Sequence, residues 1–193
     1  MNGYQNIMHQ NVIISGFGGQ GIMLIGNLLA YACMEQGFHV TYMPIYGPEM
    51  RGGTANCTVV ISSEDIGSPI IKQPLSLIIM NRPSLDKFQP RLRDGGIQIL
   101  NASLIEPTLA ETNRISTFAI PCNEIADKLG NARMANMVAL GAYIAATGIL
   151  PLETVQQALP NVISSNYANI IPKNAEALSA GAGHVLKNNT LGE

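Results

Sequence analysis

A short apolar run that leads directly into a glycine-rich turn is the feature that most constrains the fold of this chain. Residues 11–15 read NVIIS, and residues 16–21 read GFGGQG. An apolar run of this length, rich in β-branched residues, is typical of a strand buried on both faces. Apolar residues at intervals of three and four then predict a helix over residues 20–36, which ends at Gly37. A second strand over residues 38–43 completes a βαβ unit.

The rest of the chain continues this alternation. Short apolar segments predict four more strands, and helical patterns dominate the last third. The predicted strands cover 54–62, 75–80, 97–101 and 115–120, and the predicted helices cover 85–92 (capped by Ser84), 124–129, 131–147 (capped by Asn131 and ended by Gly148), 151–159 and a final stretch after Pro172. The pattern predicts an α/β fold with an open, mostly parallel sheet and helices on both faces. With 193 residues and no linker or repeat, we expect one domain over 1–193.

The composition excludes several classes of function. Charged residues make up 12 % of the chain, about half the usual ~25 %. This favours a surface that another subunit covers in part, although a compact chain with neutral polar residues outside is the alternative. The net charge of −2, without any Lys/Arg run, argues against a nucleic-acid partner. Cys33, Cys57 and Cys122 are isolated and no CxxC occurs, so we expect no metal site on this chain.

The cellular location follows from what the first residues and the most apolar segment contain. The N-terminal residues 1–10 lack a basic start followed by an apolar core, which a secretory signal needs. The apolar segment 134–150 is at the lower length limit for a membrane span and contains Asn136, Tyr143 and Thr147. It therefore predicts a buried helix and no membrane association. Together with the odd number of cysteines, this favours a cytoplasmic protein.

The glycine-rich turn matches the pattern GxGxxG and lies between a predicted strand and a predicted helix, where a phosphate-binding loop belongs. Its candidate binding residues are Gly16, Gly18, Gly19, Gln20 and Gly21. Glycines let backbone N–H groups approach an anion, and the helix N-terminus adds partial positive charge. A dinucleotide site also needs an acidic residue at the end of the second strand, where this chain has TYM at 41–43. Four interpretations stay open: the turn binds a dinucleotide, another phosphate-bearing ligand or another subunit, or it binds nothing.

A second loop follows the second predicted strand and should lie at the same edge of the sheet. Residues 46–53 read YGPEMRGG, with Glu49, Arg51 and Gly52 as candidate binding residues. An arginine between glycines can bind a phosphate or a carboxylate through two parallel hydrogen bonds. The alternative is an ordered loop with a solvated Glu–Arg pair.

These two motifs and a third together resemble the gamma-subunit family of 2-oxoacid:ferredoxin oxidoreductases, which includes pyruvate, 2-oxoisovalerate, 2-oxoglutarate and indolepyruvate enzymes. The motifs are GFGGQG at 16–21, YGPEMRGG at 46–53, and LGNARMANMV at 129–138 followed by Leu140 and Gly141. The resemblance runs from about residue 11 to 182. It implies oxidative decarboxylation of a 2-oxoacid to an acyl-CoA, with electrons passed to ferredoxin. The sequences of the loops favour 2-oxoglutarate or branched-chain substrates over pyruvate.

The resemblance also implies how the work is divided in such a complex. Alpha and beta chains hold thiamine diphosphate, and iron–sulfur clusters lie on beta, delta or fused domains. The gamma chain is a Rossmann-like domain that contacts coenzyme A. We therefore expect a separate gamma chain that has alpha, beta and delta partners, reaches ferredoxin through the complex, carries no catalytic residue and self-associates when isolated.

Two other functions remain as alternatives. A free-standing nucleotide-dependent oxidoreductase would need an acid or arginine after the second strand and a catalytic Tyr–Lys or His set, which this sequence lacks. A purely structural assembly module would leave the glycine loop without a ligand. The small residues of the predicted helix 131–147 fit contact with a partner chain as well as with this chain's own sheet, and the alternative is an ordinary core helix.

Overall fold

The computed structural model describes residues 8–45 and 54–187 as a six-stranded sheet with helices on both faces. The strands are His9–Phe17 (β1), His39–Ile45 (β2), Thr54–Ser62 (β3), Ser76–Ile79 (β4), Ile97–Asn101 (β5) and Ser116–Ile120 (β6). The helices are Ile22–Glu35 (α1), Arg82–Phe88 (α2), Cys122–Lys128 (α3), Ala135–Thr147 (α4), Leu152–Val162 (α5) and Ile171–Lys187 (α6). The order across the sheet is β2-β3-β1-β4-β5-β6, and the predicted α/β fold is confirmed.

The position of β3 is the one departure from a fully parallel sheet. It lies antiparallel between β1 and β2, so β1 and β2 run in the same direction but do not touch. The predicted βαβ unit is therefore opened by an inserted strand. Pro44 in β2 explains the arrangement in part, because a proline lacks an N–H group and belongs on an edge strand. The more apolar β3 takes the inner position and pairs along the whole of β1.

The two faces of the sheet carry cores of different size. The larger core lies under α1, α3, α4, α5 and α6 and includes Val12 and Ile14 of β1. The smaller core lies under α2 and includes Ile13 of the same strand. Because successive side chains of β1 enter opposite cores, the strand needs an unbroken apolar run, as predicted.

Helices α4 and α6 cross at two glycines. A Cβ atom on Gly141 would overlap the carbonyl oxygen of Leu178, and one on Gly181 would overlap the carbonyl oxygen of Val138. Residues 135–144 of α4 are all buried by the chain itself. The interpretation as a core helix therefore accounts for these small residues without a partner chain.

Several predicted helix ends shift by a few residues. The cap of α2 is Asn81, whose side chain accepts a hydrogen bond from the Ser84 N–H at 2.9 Å, so the prediction of Ser84 as the cap was wrong. Pro83 explains the earlier start, because proline fits the first turn of a helix. Asn131 caps a short 3₁₀ turn, Ala132–Met134, that precedes α4. Gly148 ends α4 in a left-handed conformation, as predicted. No helix among the described residues is long and apolar enough to cross a membrane.

Candidate functional site

The glycine loop occupies the carboxyl edge of the sheet, between the end of β1 and the start of α1. Gly19 and Gly21 have φ angles of +90° and +72°, which L-residues with side chains rarely adopt. Gly21 is the N-cap of α1 and has no side chain to cap the first N–H groups of the helix. A glycine turn of this kind before a helix N-terminus is typical of anion-binding loops.

Gln20 fixes the loop to its surroundings. Its Oε1 accepts a hydrogen bond from the Phe17 N–H at 2.6 Å, and its Nε2 donates to the Met80 carbonyl at the end of β4. The Gln20 backbone N–H donates to the Phe17 carbonyl, so this amide is already used inside the turn. The side chain of Gln20 thus has a positioning role that the sequence did not reveal.

The third sequence motif packs directly on the first. Asn136, which is 3 % exposed, donates from Nδ2 to the Gly21 carbonyl at 3.2 Å, while its Oδ1 accepts from the Met137 N–H. A Cβ on Gly21 would collide with this amide. The start of α4 therefore holds the start of α1, and two motifs 115 residues apart form one site.

A pocket of about 180 Å³ opens where these segments meet. It is lined by Gly19, Gln20, Met80, Asn123, Ala132, Arg133, Ala135 and Asn136. None of these lining residues is acidic, and Arg133 is exposed. A guanidinium group, side-chain amides and a helix N-terminus together favour an anionic ligand.

Six of the eight lining residues were not among the predicted site residues, and the two that could contact a ligand through polar side chains, Arg133 and Asn123, were missed for different reasons. Arg133 lies in the third motif, where it was interpreted as a polar residue near a helix cap or an interface. Asn123 belongs to no motif, and its place beside the glycine loop follows only from the tertiary fold. The third motif's resemblance could have suggested Arg133 and Asn136, but no sequence signal marks Asn123.

The second loop falls outside the described residues, and Glu49, Arg51 and Gly52 lie in it. The described residues on either side place its two ends. Ile45 at the end of β2 pairs with Asn56, and Thr54 at the start of β3 pairs with Phe17. Both ends therefore lie at the carboxyl edge of the sheet, where the glycine loop also lies.

The three cysteines lie inside the protein. Burial raises the pKa of the Cys33 and Cys57 thiols to about 12 and also raises the pKa of Cys122. Thiols with such pKa values remain protonated and unreactive at neutral pH. Within the described ranges, no cluster of three or more His, Cys, Asp or Glu side chains could hold a metal ion.

Comparison with known proteins identifies the family. Residues 11–183 match the model of the family described as pyruvate ferredoxin/flavodoxin oxidoreductase. The chain belongs to this family. A family relative, the ketoisovalerate oxidoreductase subunit VorA of Methanothermobacter thermautotrophicus, is 40 % identical over 89 % of the chain. The chain spans only 35 % of that relative's length.

Two solved structures of family members share the fold. The gamma subunit of a keto/oxoacid ferredoxin oxidoreductase from Geobacter sulfurreducens has 28 % identity and a TM-score of 0.79. The match covers 93 % of this chain and 99 % of that subunit. The 2-oxoglutarate:ferredoxin oxidoreductase of Magnetococcus marinus, solved with 2-oxoglutarate, coenzyme A and succinyl-CoA, has 22 % identity and a TM-score of 0.84. That match covers 95 % of this chain and 32 % of the longer one. The fold thus occurs both as a separate subunit and as part of a longer chain.

Proposed function

We propose that this chain is the gamma subunit of a 2-oxoacid:ferredoxin oxidoreductase. It assembles with alpha and beta chains, and with a delta chain where one exists, and these hold thiamine diphosphate and the iron–sulfur clusters. The complex converts a 2-oxoacid to an acyl-CoA and passes electrons to ferredoxin. Family membership and the near-complete match to a separate gamma subunit support this assignment. The substrate is 2-oxoglutarate or a branched-chain 2-oxoacid. The buried, protonated cysteines fit a cytoplasmic location.

The chain's own part in the reaction is to bind coenzyme A through its phosphate groups. One observation carries this proposal: the glycine loop and the third motif close around a pocket that has hydrogen-bond donors and a cation but no acidic side chain. Binding energy from this remote part of coenzyme A would orient its thiol at the thiamine-bearing chains. Gly16, Gly18, Gly19, Gln20 and Gly21 form the loop, and Glu49, Arg51 and Gly52 are proposed to contact a second group of the same ligand.

The described structure offers less support for a free-standing dinucleotide enzyme. Residues 41–45 at the end of β2 include no acid and no arginine. The Tyr42 hydroxyl donates to the Met23 carbonyl of α1 at 3.1 Å, so this side chain is directed toward the helix rather than toward a ribose site. The described part of the chain therefore offers a dinucleotide no contact of the usual kind to its ribose hydroxyls.

Purification of the tagged chain from its own cells tests the assembly. We expect larger chains to co-purify with thiamine diphosphate and iron–sulfur absorbance, and the complex to oxidise a 2-oxoacid only when coenzyme A is present. The isolated chain should have no such activity. A colourless protein that purifies alone with a bound nucleotide would overturn the assignment in favour of the dinucleotide interpretation.

Coenzyme A binding is tested in the same complex by a pair of variants. Gly19→Ala and Gly37→Ala place the same methyl group at residues with similar positive φ angles and open surroundings, but only Gly19 lies in the pocket. We expect Gly19→Ala to raise the Kd for coenzyme A by roughly tenfold, because one hydrogen bond to a charged phosphate is displaced. Gly37→Ala should leave this Kd unchanged. Equal Kd values for both variants and the wild type would favour a purely structural module.

A further inference from the structure

Part of the pocket wall comes from residues outside the two glycine-containing loops. Helix α3 supplies Asn123, and the 3₁₀ turn before α4 supplies Arg133. These two residues lie on different elements from Gly19 of the glycine loop, so three separate segments line the pocket. The orientation of the Asn123 amide decides whether this residue offers the pocket a donor or an acceptor.

Backbone groups fix this orientation through Asn101, a residue at the end of β5 that is 1 % exposed. The Ser103 N–H donates to Asn101 Oδ1 at 3.2 Å, which leaves Asn101 Nδ2 to face Asn123. Asn101 Nδ2 donates to Asn123 Oδ1 at 2.9 Å. Asn123 therefore has its acceptor occupied, and within residues 8–45 and 54–187 its Nδ2 has no acceptor. The side chain lines the pocket as a donor.

Arg133 adds a full positive charge to the lining of the same pocket. Its guanidinium group forms no ion pair and no hydrogen bond with any residue in the described ranges. Arg114, by contrast, forms ion pairs with Asp94 and Glu111 and so is committed to the fold. Arg133 is thus available to a ligand, and the described residues that line its pocket include no competing carboxylate.

We infer that Asn123 Nδ2 and the Arg133 guanidinium bind one phosphate group of coenzyme A, and that Asn101 positions Asn123 for this contact. This inference rests on the proposed binding of coenzyme A. A 2-oxoacid carboxylate offers similar oxyanion chemistry, but it has two oxygens where a phosphate has more acceptor oxygens and more charge. Two side-chain donors from separate segments, one of them a guanidinium group, fit the phosphate better.

The first test measures Kd values by calorimetry on the purified complex, separately for coenzyme A and for the 2-oxoacid. Arg133→Gln should raise the Kd for coenzyme A by roughly tenfold and leave the Kd for the 2-oxoacid unchanged. The control is Lys128→Gln, which removes an exposed positive charge five residues earlier without altering the pocket lining. It should change neither value.

Three results would overturn the assignment of Arg133. A higher Kd for the 2-oxoacid alone would show that the pocket takes the substrate carboxylate. Unchanged values for both ligands would show that Arg133 binds neither. Loss of the chain from the complex in the Arg133→Gln variant, with Lys128→Gln intact, would show that Arg133 contacts a partner subunit instead.

The positioning role of Asn101 is tested by a double-mutant cycle in the same complex. Asn123→Ala and Asn101→Ala should each raise the Kd for coenzyme A by roughly fivefold, on the scale of one hydrogen bond. The double variant should bind no more weakly than Asn123→Ala alone, because Asn101 acts only through Asn123. If Asn101→Ala weakens binding equally with and without Asn123, its role is structural and the positioning assignment fails.

The Gly19→Ala variant separates this inference from the proposed function. If Gly19→Ala weakens coenzyme A binding while the Arg133 and Asn123 variants do not, the pocket binds coenzyme A but these two contacts are wrong. If all three variants bind coenzyme A like the wild type, the proposed coenzyme A site is itself wrong.

Discussion

Glycines perform opposite tasks in the glycine loop and at the crossing of α4 and α6. At the crossing, Gly141 and Gly181 are required because backbone atoms of the facing helix fill the space where a side chain would begin. In the loop, a Cβ on Gly19 would have no atom within 4 Å, and the glycine is required for its backbone angle. The first pair serves packing, whereas the space around the loop glycine is open. The following variants exploit this difference.

The largest expected effect is at the helix crossing. Gly181→Ala should lower the free energy of unfolding by about 2–3 kcal/mol, because the new methyl group meets the Val138 carbonyl and forces the two helices apart. Gly183→Ala, two residues later in α6 and free of such contacts, should instead raise it by about 0.5–1 kcal/mol through better helix propensity. Chemical denaturation of both variants checks the contrast. Equal stabilities would mean that the helices do not approach as closely as described.

An effect of similar size is expected at Gly21, where both requirements coincide. Gly21→Ala combines a left-handed backbone with a collision with the Asn136 amide, and should cost about 2–3 kcal/mol of stability. Gly148→Ala has a similar φ angle at the end of α4 but open surroundings, so it should cost only about 1–2 kcal/mol. Thermal melting of the two variants measures the difference. An equal loss of stability in both variants would contradict the close contact between Gly21 and Asn136.

The loop itself should show a smaller loss of stability and a larger loss of binding. Gly19→Ala and Gly37→Ala should each cost about 1–2 kcal/mol, because both impose a side chain on a left-handed conformation. Their melting temperatures should therefore be similar. A much greater destabilisation by Gly19→Ala would mean that the loop is packed, in the manner of the helix crossing.

The last prediction needs no substitution and concerns the reactivity of the buried cysteines. With pKa values near 12, Cys33 and Cys57 should react with a thiol reagent at pH 8 at least about a thousandfold more slowly than a free thiol of pKa 8.5. Because folding raises these pKa values, the contribution of the two protonated thiols to the free energy of unfolding depends on pH. This contribution is fully present below about pH 8.5 and falls as the pH rises toward 12. Labelling followed by mass spectrometry, with and without denaturant, measures the protection. Rapid labelling of the native chain would contradict the buried positions.

Much of the architecture was predictable from local sequence because local signals and tertiary demands agree. Residues 11–15 lie between the two cores, and their unbroken apolar composition predicts a strand that is buried on both faces. Gly148 ends α4 because a left-handed cap needs a residue without a side chain, a requirement visible in the sequence. The glycine loop was also placed correctly between a strand and a helix, because the apolar run before it and the helical pattern after it are both visible in the sequence.

The remaining features depend on residues that lie far apart in the chain. Insertion of β3 between β1 and β2 reflects competition among strands for a central position, which no single segment encodes. The contact from Asn136 to Gly21 and the contact from Asn101 to Asn123 join different elements of secondary structure. Amide side chains carry no periodic signal, so their pairing could be found only after the sheet and helices were assembled.

The contact between Asn136 and the Gly21 carbonyl also sets an order of events during synthesis. The glycine loop leaves the ribosome 115 residues before its partner. At about 5–20 residues per second, the interval is about 6–23 s. A nascent chain that ends before α4 would therefore contain the complete first motif without the pocket, and the pocket would form late in translation, when the C-terminal helices fold back onto the sheet.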